Sequence, residues 1–90
     1  MNGLKAILDS TMPLPKTEQE WAERAVRFLK AELKRADVTY DELADRLDQY
    51  GFEETRASIA NKLTRATMSA HFLLASLAVI QVRQIRFEDL

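Results

Sequence analysis

A short basic stretch in the second half of the chain carries the side chains with the clearest chemistry. Arg56, Ser58, Asn61, Lys62 and Arg65 lie on a predicted helix, on the side away from its apolar positions. Arginine, asparagine and serine can hydrogen-bond to base edges in the major groove of DNA, and lysine and arginine neutralise phosphates. This stretch therefore predicts a helix that contacts DNA.

These side chains also have a structural alternative, in which Arg56 pairs with Glu53 or Asp48 while Ser58 and Asn61 face solvent. The distribution of charge favours the DNA-facing interpretation. Residues 1–54 contain eight basic and twelve acidic side chains, whereas residues 55–87 contain five basic and no acidic ones. A local basic face can bind phosphates even though the whole chain has a net charge of −1.

Other kinds of chemistry have little support in the sequence. Cysteine is absent, which excludes thiol catalysis, disulfides and cysteine-bound metal. His71 is the single histidine, and Asp41 and Asp45 have the spacing of two solvated residues on one helix face. No glycine-rich phosphate loop is present. We therefore expect no enzyme activity, no metal site and no cofactor.

The composition bounds the fold. Ninety residues form one domain, and Gly51 is the only glycine or proline after residue 15, so the chain should be mostly helical. We expect residues 1–16 to form a flexible or loosely packed N-terminal arm and residues 17–90 to form the domain. The N-terminus lacks the pattern of a signal peptide, and the apolar run 70–82 is too short to span a bilayer. The expected location is the cytoplasm, without a membrane partner.

The first two predicted helices have capping signals and apolar faces. The first begins at Thr17, with Glu20 completing a capping box, and ends near residue 36. Its predicted buried face consists of Trp21, Ala25, Phe28, Leu29 and Leu33. The second begins after Thr39, and Gly51 is placed to adopt the left-handed conformation that ends a helix. Its predicted inward residues are Leu43, Ala44, Leu47 and Tyr50.

The last two predicted helices differ in character. The third spans roughly residues 54–65 and is anchored in the core by Ile59 and Leu63. The fourth begins after Ser69 and is apolar on nearly all sides up to residue 80, which is typical of a core helix or an oligomer interface. The alternation after residue 82 predicts a short C-terminal edge strand, with a terminal helical turn as the alternative. The predicted homodimer interface comprises Phe72, Leu74, Val79, Ile85 and Phe87.

Residues 29–90 resemble the Cro and lambda-repressor-like helix-turn-helix family. The similarity lies in LKAELKRADVTYDELADRL, in SIANKLTRA and in the apolar helix that follows. The region after Trp21 resembles more closely a family of small bacterial helix-turn-helix-like proteins of unknown function. The resemblance implies an all-α fold of four to five helices. The chain departs from the pattern between Gly51 and Ile59, where it has more residues than the usual tight turn, and at Ala66, where many relatives have glycine.

The resemblance also implies roles for individual residues. The third helix would lie in the major groove of double-stranded DNA, with base edges near Arg56, Ala57, Ser58 and Asn61. Phosphate contacts would come from Tyr40, Lys62, Thr64 and Arg65. The expected protein is a transcriptional regulator that binds DNA as a homodimer. The alternative is a protein-interaction module that docks through the apolar helix 70–80 and does not bind DNA.

Overall fold

The structure, a computed structural model, describes residues 14–90 and contains four α-helices followed by a short 3-10 turn. The elements are α1 (Glu18–Ala36), α2 (Tyr40–Asp48), α3 (Arg56–Arg65), α4 (Ala70–Val79) and the 3-10 turn Phe87–Asp89. The predicted all-α fold class is confirmed. The predicted C-terminal strand is not formed within residues 14–90, and its alternative, a helical turn, is present. Most of the predicted N-terminal arm lies outside the described residues.

Each helix begins after a hydroxyl residue whose side chain accepts a backbone N–H from three residues further along. These caps are Thr17, Thr39, Thr55 and Ser69, with N···O distances of 3.1, 3.2, 3.1 and 3.1 Å. Such caps satisfy amides that have no partner inside the helix. The starts after Thr17, Thr39 and Ser69 were predicted. The start of α3 was placed too early, because Thr55 and Ser58 form a reciprocal capping box that begins the helix at Arg56.

The four helices enclose one apolar core. The buried apolar residues are Val26, Phe28, Leu29, Leu33, Val38, Leu43, Ala44, Leu47, Ile59, Leu63, Phe72, Leu77 and Ile80. Each helix supplies part of this set, as expected when amphipathic helices bury one face against each other. Most of the predicted inward positions of α1, α2 and α3 are therefore confirmed.

Two aromatic residues predicted to be buried are exposed. Trp21 is 40% exposed, because the buried residues of α1 begin only at Val26 and the first turns of the helix extend beyond the core. Tyr50 is 69% exposed, since α2 ends at Asp48 and helical spacing no longer fixes its direction. Both predictions were wrong for the same reason: the apolar periodicity was extended past the part of the helix that is covered.

Two arginines link distant parts of the chain. The Arg46 guanidinium on α2 donates to the carbonyl oxygen of Val79 at the end of α4, at 3.0 Å. The Arg24 guanidinium on α1 donates to the carbonyl oxygen of Leu90, at 2.9 Å. A cation at a helix C-terminus satisfies free carbonyls and complements the helix dipole.

Within residues 14–90, none of the helices has the length and apolarity that crossing a membrane would require.

Candidate nucleic-acid interface

The exposed face of α3 gathers half of the predicted DNA-contacting residues. Ile59 and Leu63 are buried and fix this helix against the core. The opposite face consists of Ala57, Asn61, Thr64 and Arg65, all exposed. The spacing of these four residues follows the helical repeat, so they form one continuous strip. This strip contains one amide, one hydroxyl and one guanidinium, and no acid.

Ser58 and Lys62 lie at the edge of that strip and are engaged within the protein. The Ser58 hydroxyl accepts the Thr55 N–H at 2.8 Å and donates to the Glu54 carboxylate at 2.6 Å. The Lys62 ammonium pairs with the other Glu54 oxygen and lies 5.0 Å from the centroid of the Phe72 ring. Both side chains therefore stabilise the start of α3 and its packing on α4.

Glu54 is the centre of this small polar cluster, and its side chain is only 8% exposed. Burial alone would raise the pKa of Glu54. The hydrogen bonds from Lys62 and Ser58 and the positive charge of Lys62 outweigh burial, so the pKa of Glu54 lies below its ordinary value. The carboxylate is thus held in its charged form. From the sequence, Glu54 was expected in the first turn of α3, and its contacts with Ser58 and Lys62 were not predicted.

Arg56 points to a different part of the surface. Together with Lys30 and Lys34 of α1 and Tyr40 of α2, it lines an open pocket of about 460 Å³. Arg56 makes no ion pair with Glu53 or Asp48, nor with any other residue in the range 14–90. No role for Lys30 and Lys34 was predicted from the sequence. Their spacing of four residues, which puts two like charges side by side, was the available signal.

The segment between α2 and α3 sets the position of α3. It comprises residues 49–55, which is longer than the three to four residues usual between the two helices of a helix-turn-helix. Gly51 has φ = 90°, which confirms the predicted left-handed conformation there. Phe52 is partly buried against the core, and its ring centroid lies 6.3 Å from that of His71. The segment is therefore anchored to the core and to α4.

The predicted dimer interface is only partly on the surface. Phe72 is 1% exposed and belongs to the core, so it offers almost no surface to a second copy. Leu74 is 59% exposed, Ile85 and Phe87 are exposed, and Val79 is half-buried. Beside Leu74 lies an apolar groove of about 300 Å³, lined by Tyr50, Ala75, Ala78 and Val79. Ala75 and Ala78 were not identified from the sequence, because the fourth helix has no polar face from which its exposed side could be recognised, and Tyr50 was expected to be buried.

Two further observations concern metal binding and similarity to known proteins. Among residues 14–90, no three carboxylate or histidine side chains are placed to share a metal ion. No curated protein and no solved structure matches the chain significantly. A family model described as Domain of unknown function (DUF6471) matches residues 21–85, which include most of α1 and all of α2, α3 and α4. Because this match covers more than two thirds of the chain, the protein belongs to the family of the domain of unknown function DUF6471.

Proposed function

We propose that this protein binds DNA sequence-specifically as a transcriptional regulator, with α3 lying in the major groove. The observation that carries the proposal is the exposed strip of α3, with Ala57, Asn61, Thr64 and Arg65 directed away from the core. A helix of ten residues is about 15 Å long, and the major groove accommodates a helix of this diameter. The absence of acids from residue 55 to residue 87 removes the repulsion that phosphates would otherwise meet.

The residues of the strip suit different parts of a DNA site. Asn61 lies in the middle of α3, where its amide can bridge N6 and N7 of adenine. Ala57 is small enough to contact a thymine methyl group, and Arg65 and Thr64 lie at the end of the helix, where phosphates would be nearest. In this proposal Ser58 and Lys62 act indirectly, by holding the start of α3 through Glu54.

The helix-turn-helix assignment is part of the same proposal. It is supported by two consecutive helices, α2 and α3, that contact each other and are joined by a turn with Gly51 at positive φ. It is also supported by the resemblance to Cro and lambda-repressor-like proteins between residues 29 and 90. The seven-residue connection from Gln49 to Thr55 makes this a variant with a longer turn.

We further propose that the protein binds DNA as a homodimer. One ten-residue helix offers few contacts, whereas two copies on a palindromic site would double the contact area and allow tighter binding. The surface suited to a second copy is the exposed side of α4, where Leu74 stands beside the groove of Tyr50, Ala75 and Ala78. Ile85 and Phe87 in the C-terminal segment add exposed apolar area.

Substitutions in α3 test the proposal. Asn61→Ala should reduce the preference for the specific site over random DNA by roughly tenfold, because one bidentate base contact is lost. Arg65→Ala should weaken binding to all sequences alike and lower the salt slope by about one. Arg27→Ala is the matched control, since Arg27 is exposed on α1 and should leave binding unchanged. If Asn61→Ala and Arg65→Ala both bind as the control does, α3 is not the groove-facing helix.

A second candidate function is favoured by the apolar groove. Because α4 contains no charged residue and presents Leu74 to solvent, it can dock another protein without any DNA contact. Dependence on salt separates the two candidates. Binding through phosphates weakens steeply as salt rises, because the release of counterions from DNA becomes less favourable, whereas an apolar interface responds little.

A further inference from the structure

The open pocket beside Arg56 has no role in the contacts described so far. It lies where the end of α1, the start of α2 and the start of α3 meet. Its apolar part is formed by Leu33 and Val38, and its charged rim includes Lys30, Lys34 and Arg56. A volume of about 460 Å³ is large enough for a phosphate together with part of the group that carries it.

The charges around the pocket are unbalanced. Lys30 and Lys34 are one turn apart on α1, and Arg56 approaches from another helix, so three cations surround one space. None of the three makes an ion pair in the part of the chain that the structure describes. One acid, Asp41, also lines the pocket, which leaves a net positive rim. Like charges brought together repel each other, and a bound anion would remove that repulsion.

The backbone at the start of α2 adds to the same positive potential. The Thr39 side chain accepts the Glu42 N–H, and the Thr39 carbonyl accepts the Leu43 N–H. The preceding N–H groups, those of Tyr40 and Asp41, belong to the first turn and have no partner inside the helix. Both residues line the pocket, and the N-terminus of a helix favours an anion placed near it.

We propose that this pocket binds one phosphate group, held by Lys30, Lys34 and Arg56. The phosphate belongs either to the backbone of duplex DNA or to a small phosphorylated molecule. With the first source the inference rests on the proposed function and extends the DNA-contacting surface from α3 to α1. With the second source it stands without DNA binding, and the pocket is a ligand site in its own right.

The test uses the ¹⁵N-labelled full chain and two probes, inorganic phosphate and a DNA duplex, at matched ionic strength. Amide shifts of Tyr40, Asp41 and Arg56 report on the pocket. The test variant is Lys30→Ala combined with Lys34→Ala. The control, Arg83→Ala combined with Arg86→Ala, removes the same charge from the C-terminal segment.

Saturable shifts with inorganic phosphate, weakened about tenfold in the test variant and not in the control, establish a site for a small phosphorylated ligand. Shifts with duplex alone, with DNA affinity reduced about tenfold only in the test variant, establish a backbone contact. Binding of inorganic phosphate without any DNA binding would support the pocket and reject the proposed function. DNA binding that depends on Asn61 and Arg65 but survives in the test variant, with no amide shifts from inorganic phosphate, would reject the pocket alone. If neither probe shifts these amides, the pocket proposal is overturned.

Discussion

Glu54, Ser58 and Lys62 form a cluster held together by a hydrogen bond and an ion pair to the Glu54 carboxylate. The Glu54 carboxylate accepts from the Ser58 hydroxyl and pairs with Lys62, whose ammonium also faces the Phe72 ring. A buried carboxylate is tolerated only when its charge is paired and its lone pairs are hydrogen-bonded. Lys62 therefore contributes to the junction of α3 and α4, because it neutralises a carboxylate that is removed from water.

This cluster gives stability a defined dependence on pH. The pKa of Glu54 is lower in the folded state than in the unfolded state, so the unfolded chain binds more protons in acid. The stabilisation is complete above about pH 4.3 and is lost as the pH falls through the folded pKa. Glu54→Gln should lower the free energy of unfolding at pH 7 by about 1–2 kcal/mol. The difference from wild type should shrink below about pH 4, as measured by urea denaturation at several pH values.

Glu53→Gln serves as the control for that experiment, since Glu53 is an exposed neighbour outside the cluster. It reports the effect of removing one negative charge from the chain. A difference between wild type and Glu54→Gln that stayed constant from neutral to acid pH would contradict the assigned role of Glu54.

The types of the α3 residues could be interpreted from the sequence, but their partners could not. Ala57, Asn61, Thr64 and Arg65 lie on the exposed side because helical spacing alone puts them opposite Ile59 and Leu63. The pairing of Lys62 with Glu54 depends on how the residues before α3 fold back on it. Lys62 lies eight positions after Glu54 in the sequence, whereas side chains within one helix contact each other directly at spacings of three or four.

At the scale of the helices, side-chain caps define where each helix begins, whereas the C-terminal end of α3 requires a strained backbone conformation. Ala66 is the C-cap of α3 and adopts the left-handed conformation with φ = 55°. This conformation costs a residue with a Cβ atom about 1 kcal/mol, and glycine adopts it freely. Ala66 nevertheless closes the helix, because its N–H and that of Thr67 bond to the carbonyls of Leu63 and Lys62.

Ala66→Gly should therefore stabilise the protein. The expected gain is about 0.5–1 kcal/mol, because relief of the left-handed strain exceeds the added freedom of glycine in the unfolded chain. Ala57→Gly, at an exposed helical position of α3, should instead destabilise by about 0.5–1 kcal/mol. Thermal unfolding of both variants measures the two changes. A loss of stability in Ala66→Gly as large as that in Ala57→Gly would contradict this explanation.

The helix boundaries show where sequence signals suffice. Thr17 and Thr39 were recognised as caps because a glutamate follows each at the third position, and Ser69 because serine is a favoured N-cap. The start of α3 was ambiguous, since Glu53, Glu54 and Thr55 are all favoured near a helix N-terminus. The reciprocal bonds between Thr55 and Ser58 decided it, and they also fix which residues of α3 face outward.

At the scale of the whole molecule, the core was predictable and the apolar surface was not. Periodicity identified the buried faces of α1, α2 and α3, but α4 is apolar on nearly all sides. Which side of α4 is covered depends on how the other helices pack against it, so the sequence alone did not show that Phe72 belongs to the core. The pocket lined by Lys30, Lys34 and Arg56 was also missed, because it is assembled from three helices.

The proposed dimer predicts the effect of a charge on this surface. Leu74→Glu should convert the dimer to monomer, because a carboxylate would be buried against the apolar groove of the second copy. Sedimentation equilibrium measures the change in mass. Ala57→Glu is the control, since it adds the same charge on the face of α3 that the proposal leaves free of the second copy. A wild-type protein that is monomeric at high concentration, or a Leu74→Glu variant that remains dimeric, would remove this interface.

The measurement that tests the central claim most directly is the binding of the full chain to a pool of random-sequence duplexes, followed by fluorescence anisotropy over a salt series. Sequencing of the bound fraction should yield a motif with two-fold symmetry. The logarithm of the association constant should fall linearly with that of salt, with a slope steeper than about −4 for a dimer that neutralises several phosphates. Absence of binding at low salt, or binding that salt leaves unchanged, would contradict a DNA-binding function and favour docking of a protein on α4.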